Sequence, residues 1–97
     1  MSNESESIVT IDISNVQTAN ELHLLFKEKL EFPNFYGENW DAFWDAITGL
    51  ISMPDKLVLI GWLEFEKALP SVAKTVKEFL YLHNEEYPDW KCEYFFN

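Results

Sequence analysis

Two aspartates, Asp41 and Asp45, stand four residues apart in the run Asn-Trp-Asp-Ala-Phe-Trp-Asp-Ala-Ile-Thr at positions 39–48. If that run is helical, a step of about 100° per residue puts Trp40, Phe43, Ile47 and Ile51 on one arc, a core face. Asp41, Asp45 and Thr48 then share a second face, with Trp44 on the border. Ala42, Ala46 and Gly49 leave the remaining side flat. Like charges at this spacing repel, and neither carboxylate has a Lys three or four residues away to relieve it. The helix dipole favours Asp41 more than the deeper Asp45. Carboxylates beside a large aromatic offer directional acceptors and contact area to an Arg or Lys of a partner. The same residues admit other chemistry. Two carboxylates could form the acid/base pair of a hydrolase, and Glu38, Asp41 and Asp45 could hold a divalent cation through oxygen. They could equally be a solvated helix face over a tryptophan-rich core. The chain is short for a hydrolase and carries no Ca²⁺-loop pattern, so binding outweighs those two readings, while spacing alone leaves the solvated face open.

Charge points the same way. The 97 residues include 17 acidic and 7 basic side chains, a net charge of −10, and every basic residue is Lys. A nucleic-acid site needs a basic footprint, and an anionic membrane repels such a chain. A cationic partner is favoured, because the net field steers encounter. Cys92 is the single cysteine, which excludes an internal disulfide and any site of paired cysteines. Its place among strand residues reads as core rather than as a reactive thiol. His23 and His83 are far apart, pair with no nucleophile, and read as surface or half-buried. Trp62 and Trp90 read as packing residues. No cofactor, metal or catalytic constellation is expected. Met1 to Glu6 lacks a basic region followed by an apolar stretch, and Leu57 to Ile60 is far too short to span a membrane, so the cytoplasm is the expected compartment.

The elements that must position the aspartates follow from periodicity. Residues 1–7 read as a frayed tail and residues 8–97 as a single domain. Ile8 to Ile13 reads as a strand. Thr18 and Glu21 fit a capping box, opening a helix with Leu22, Leu25, Phe26 and Leu30 inward that ends before Pro33. Gly37 marks a loop, and Asn39 caps a second helix running to about Gly49. Met53-Pro54-Asp55 is a turn. Lys56 to Ile60 is continuously apolar after its first residue, which predicts a central strand covered on both faces. Trp62 to Leu69 predicts a short helix. Pro70 opens another, with Val72, Val76, Phe79 and Leu80 inward. Glu85 to Asp89 is expected as a polar loop, and Cys92 to Phe96 as a last strand. The order is β-α-α-β-α-α-β. Long helical connections join parallel strands, so the fold class is α/β: a small three-stranded parallel sheet with about four helices.

The run Phe35-Tyr36-Gly37-Glu38-Asn39-Trp40-Asp41-Ala42-Phe43-Trp44-Asp45 resembles the signature of the barstar family. Thr48-Gly49 continues it, Leu30-x-Phe32-Pro33 precedes it, and the likeness spans nearly the whole chain. It implies a barstar-like fold and an intracellular bacterial immunity protein that inhibits a basic, barnase-like extracellular ribonuclease. Such a protein is non-enzymatic and monomeric when free. By the same resemblance, Asp45 would enter the enzyme's phosphate site and pair with its cations, and Asp41 would meet neighbouring cations and the guanine-recognition side. Trp44, Asn39, Gly37, Thr48 and Gly49 would line the contact. Phe35 stands where the family typically has Tyr, so its ring remains but the hydroxyl is lost. Glu78 would be a peripheral acidic contact. Leu50 replaces a second interface Trp, the 85–89 loop is longer than usual, and the two cysteines of some members are missing. These departures suit a target differing from the best-known one. An acidic module for a basic partner that is not a nuclease is the alternative.

Overall fold

The structure, a computed structural model, describes residues 6–97. Residues 1–5 of the expected tail lie outside the described residues. Strand β1 (Ile8–Asp12) leads to helices α1 (Ala19–Lys29) and α2 (Trp40–Asp45), the latter running into a π-helical turn (Ala46–Leu50). Strand β2 (Lys56–Ile60), helices α3 (Trp62–Ala68) and α4 (Pro70–Glu86), a 3₁₀ turn (Pro88–Trp90) and strand β3 (Glu93–Phe96) complete the order. All strand pairs are parallel, with β2 between β1 and β3. The β-α-α-β-α-α-β expectation holds. Ser7, assigned above to the tail, is instead tied down. Its N–H donates to Asp55 Oδ2 (2.9 Å), and its carbonyl accepts from Lys56 N (3.1 Å).

Register sets the faces of the sheet. Val9, Leu57 and Tyr94 lie abreast, as do Ile11, Leu59 and Phe96, and these rows face the helices. On the other face Ile8, Ile60 and Phe95 are exposed and Val58 is half-buried. The expectation that β2 is covered on both faces is therefore corrected. Its apolar run marks a central strand, but the helices cover only one side of the sheet.

Local chemistry fixes each helix end. Thr18 Oγ1 accepts from Glu21 N (3.1 Å) while Glu21 Oε1 accepts from Thr18 N (3.2 Å), closing the capping box at the start of α1. At its end Leu30 N donates to Phe26 O (2.8 Å) and Phe32 N to Lys27 O (3.0 Å). That is a Schellman motif, with Glu31 in the left-handed region at φ +58° where glycine is usual. A left-handed non-glycine residue costs about 1–2 kcal/mol, and glycine's extra unfolded-state freedom returns part of that. Glu31→Gly is thus expected to stabilise the fold by about 0.5–1 kcal/mol, read from urea denaturation; a loss of stability would refute the strain.

Phe43 of α2 sits at the centre of the core, its ring within 6.5 Å (centroid to centroid) of those of His23, Phe26, Phe32, Trp40 and Phe79. The last turn of the predicted second helix departs from α geometry: Ile51 N donates to Ala46 O (3.1 Å), an i→i+5 bond. A π turn advances less per residue than an α turn. Leu50 accordingly swings outward, 46% exposed, and Ile51 is extended and only half-buried rather than a core residue of the helix. Ala46, placed above on the flat outer side, is fully buried, because the core wraps further round α2 than its large side chains alone indicate.

Candidate functional site

The approach to α2 is braced from beneath. Tyr36 is buried, and its hydroxyl shares a hydrogen bond of 2.6 Å with His23 Nδ1. His23 in turn packs on Trp40, with ring centroids 4.6 Å apart. His23 and His83 are both buried, which corrects their reading as surface or half-buried residues. Each sits on the inner side of an amphipathic helix, where an imidazole packs as an aromatic. Burial holds the His23 pKa below its usual value, partly opposed by the Glu38 carboxylate. A proton then binds the unfolded chain better than the folded one. Stability is therefore full above the unfolded His value of about 6.5 and falls as the pH drops below it. Melting temperature is expected to decline as the pH falls below about 6.5 in the native chain and to decline less in His23→Gln. Parallel curves from calorimetry would remove His23 as the cause.

Above this brace the loop presents Phe35, 75% exposed, with Gly37 and Asn39. Asn39 caps α2: its Oδ1 accepts from Ala42 N (2.8 Å), while its Nδ2 donates to Gly37 O (3.2 Å). Both aspartates emerge exposed from α2. Neither forms an ion pair with another described residue. Asp41, Trp44 and Asp45 line a shallow groove whose opposite wall is Phe79, Leu82 and Glu86 of α4. Trp44 leans on Phe79, centroids 5.8 Å apart, so an apolar floor lies between three carboxylates.

Glu86 was hidden by the expectation of a polar loop over Glu85 to Asp89. Helix α4 in fact continues to Glu86 and is followed by the 3₁₀ turn. A usable signal existed: Glu78, Leu82 and Glu86 recur every four residues, on one helical stripe. Glu78 itself is exposed on α4 but does not line the groove. Thr48 and Gly49 lie at the far end, on the π turn. The Thr48 hydroxyl donates to Trp44 O (2.6 Å), and the space over Gly49 is open. The structure thus unites Asp41, Trp44 and Asp45, sets Phe35, Gly37 and Asn39 ahead of them and Thr48 and Gly49 beyond, and leaves Glu78 apart.

Among the described residues no group of three or more His, Cys, Asp or Glu is placed to hold a metal, the Glu38–Asp41–Asp45 alternative included. The Cys92 thiol is buried, which with nearby Asp55 and Glu93 pushes its pKa up to about 12, far from thiolate chemistry. No helix among the described residues is long and apolar enough to cross a membrane.

These features define a class: a small acidic α/β domain whose exposed chemistry is carboxylates grouped around an aromatic floor. Comparison with known proteins identifies the family. Residues 6–95 match the family model described as "Barstar (barnase inhibitor)". The chain is also 37% identical over 81 residues to the Bacillus subtilis (strain 168) protein named "Putative ribonuclease inhibitor YrdF", covering 84% of this chain and 89% of that one. The chain belongs to the barstar family, a family of inhibitors rather than enzymes.

Proposed function

We propose that this chain inhibits a basic, barnase-like ribonuclease by inserting the acidic face of α2 into its active site, and that it protects the cell that makes the enzyme. The groove carries the reading: Asp41 and Asp45 flank Trp44 on a helix whose cap and core face are both fixed. A ribonuclease site holds a phosphodiester, so it presents converging cations. A carboxylate on a rigid helix can occupy the phosphate position without being cleaved. Asp45 takes that position, Asp41 meets the neighbouring cations, and Trp44, Phe35, Gly37, Asn39, Thr48 and Gly49 surround them. Glu78 makes a rim contact of small effect. The net charge of −10 draws the cationic enzyme in.

The test is a ribonuclease assay with a barnase-like enzyme titrated with this protein. Stoichiometric inhibition that competes with RNA supports active-site plugging. Binding without competition would indicate an acidic module that docks elsewhere. No binding would turn the search to a different basic toxin.

A further inference from the structure

The α4–β3 connection, expected above as a polar loop followed by a packing tryptophan, is a hydrogen-bonded turn that presents an exposed one. Trp90 is 67% exposed, which corrects its reading as a packing residue. Its indole is stacked on the Tyr87 ring, with centroids 5.8 Å apart and planes within 8°. Backbone bonds brace the turn, from Tyr87 N to His83 O (2.9 Å) and from Trp90 N to Tyr87 O (2.9 Å). Asn84 closes it from below: its Nδ2 donates to Cys92 O (2.8 Å), and its Oδ1 accepts from Cys92 N (2.9 Å). A large exposed aromatic, stacked on a neighbour and carried on a hydrogen-bonded turn, suits an interface anchor, because less of the chain has to be ordered on binding.

Trp90 stands at one side of a cleft of about 470 Å³. Thr48 and Gly49 form the other side, so the cleft continues directly from the α2 surface. Asp55 and Asp89 line it with a single cation, Lys91. Resting on the ribonuclease reading above, we propose that this cleft is a second contact with the same enzyme. It receives a Lys or Arg side chain from beside the enzyme's active site, which stacks on Trp90 and pairs with Asp89 and Asp55. The ring face attracts a cation and the carboxylates complete the pairing. Leu50 leaves this end of the π turn without an aromatic, and Trp90 supplies one from across the cleft. Trp90 is therefore a determinant of which ribonuclease the chain prefers.

The experiment measures dissociation of the complex with a barnase-like ribonuclease by stopped flow, for the native chain, Asp45→Ala, Trp90→Ala, Trp90→Phe and Asp89→Lys. Dissociation is expected to quicken on the order of ten- to a hundredfold in Trp90→Ala, to be largely restored in Trp90→Phe, and to quicken in Asp89→Lys. Asp89→Lys keeps the Trp90–Tyr87 stack, so it carries the test if Trp90→Ala folds poorly. Native dissociation rates in both Trp90→Ala and Asp89→Lys, with Asp45→Ala still defective, would overturn the second contact and leave the inhibitor reading standing. Failure of the native chain to bind would overturn both.

Discussion

Asp45→Ala is expected to weaken inhibition of a barnase-like ribonuclease by several hundred- to several thousandfold, whereas Glu78→Ala changes it by less than about tenfold. The difference comes from solvent. Asp45 borders the Trp44–Phe79 floor, so a docked enzyme would strip water from its carboxylate and from the cations it meets. Removing one member of such a desolvated pair leaves the other charge buried and unpaired, at a cost of about 3–5 kcal/mol. Glu78 is exposed one turn before Leu82 on the same stripe of α4 and does not line the groove, and at such exposed positions ion pairs contribute about 1 kcal/mol or less. Isothermal calorimetry on the two variants decides the matter. Comparable losses would mean that Asp45 is not at the dry centre.

The second large effect is on folding. Phe43→Ala is expected to lose about 3–5 kcal/mol of unfolding free energy. Small domains have only about 5–15 kcal/mol in all. The Phe43 ring joins α1, through His23 and Phe26, to α2 and to Phe79 of α4, so its loss opens a cavity where three helices meet. Urea denaturation monitored by circular dichroism measures the change. A loss below about 1.5 kcal/mol would mean that the neighbouring rings collapse into the space, as in volume-conserving swaps.

Legibility from sequence followed the range of the interactions involved. The capping box at Thr18, the Asn39 cap and the start of α4 at Pro70 depend on neighbours within a turn, and they read directly. The parallel sheet followed from the lengths of its connections. Features set by distant contacts were misread. A buried imidazole such as His23 shows no pattern distinct from an exposed one until Tyr36 and Trp40 are placed around it. The π turn at Ala46–Leu50 has no local residue signature, so a regular α-helical wheel carried to Ile51 runs ahead of the chain. The polar composition of residues 85–89 reads as a loop and hides Glu86, although the four-residue recurrence from Glu78 carries the helix through it, and Trp90 beside that stretch reads as a packing residue until its exposure is known. Within the groove the α2 wall was legible and the α4 wall was not, because pairing two helix faces is a tertiary event.

The parallel sheet has a consequence for how quickly the protein becomes functional. No two adjacent strands are joined by a hairpin: β1 waits for β2 across two helices, and β2 waits for β3 across two more. Contact order is therefore high for so small a chain, and such topologies fold more slowly than helical bundles of equal size. During synthesis β2 must also remain open along one edge until β3 leaves the ribosome. Helix α2, the proposed binding element, lies in the first half of the chain, yet its rear support at Phe79 comes from the second. A nascent chain thus displays its acidic face before that face is rigid. On the proposed function, the interval between translation and full affinity is then set by the arrival of the C-terminal half of the fold.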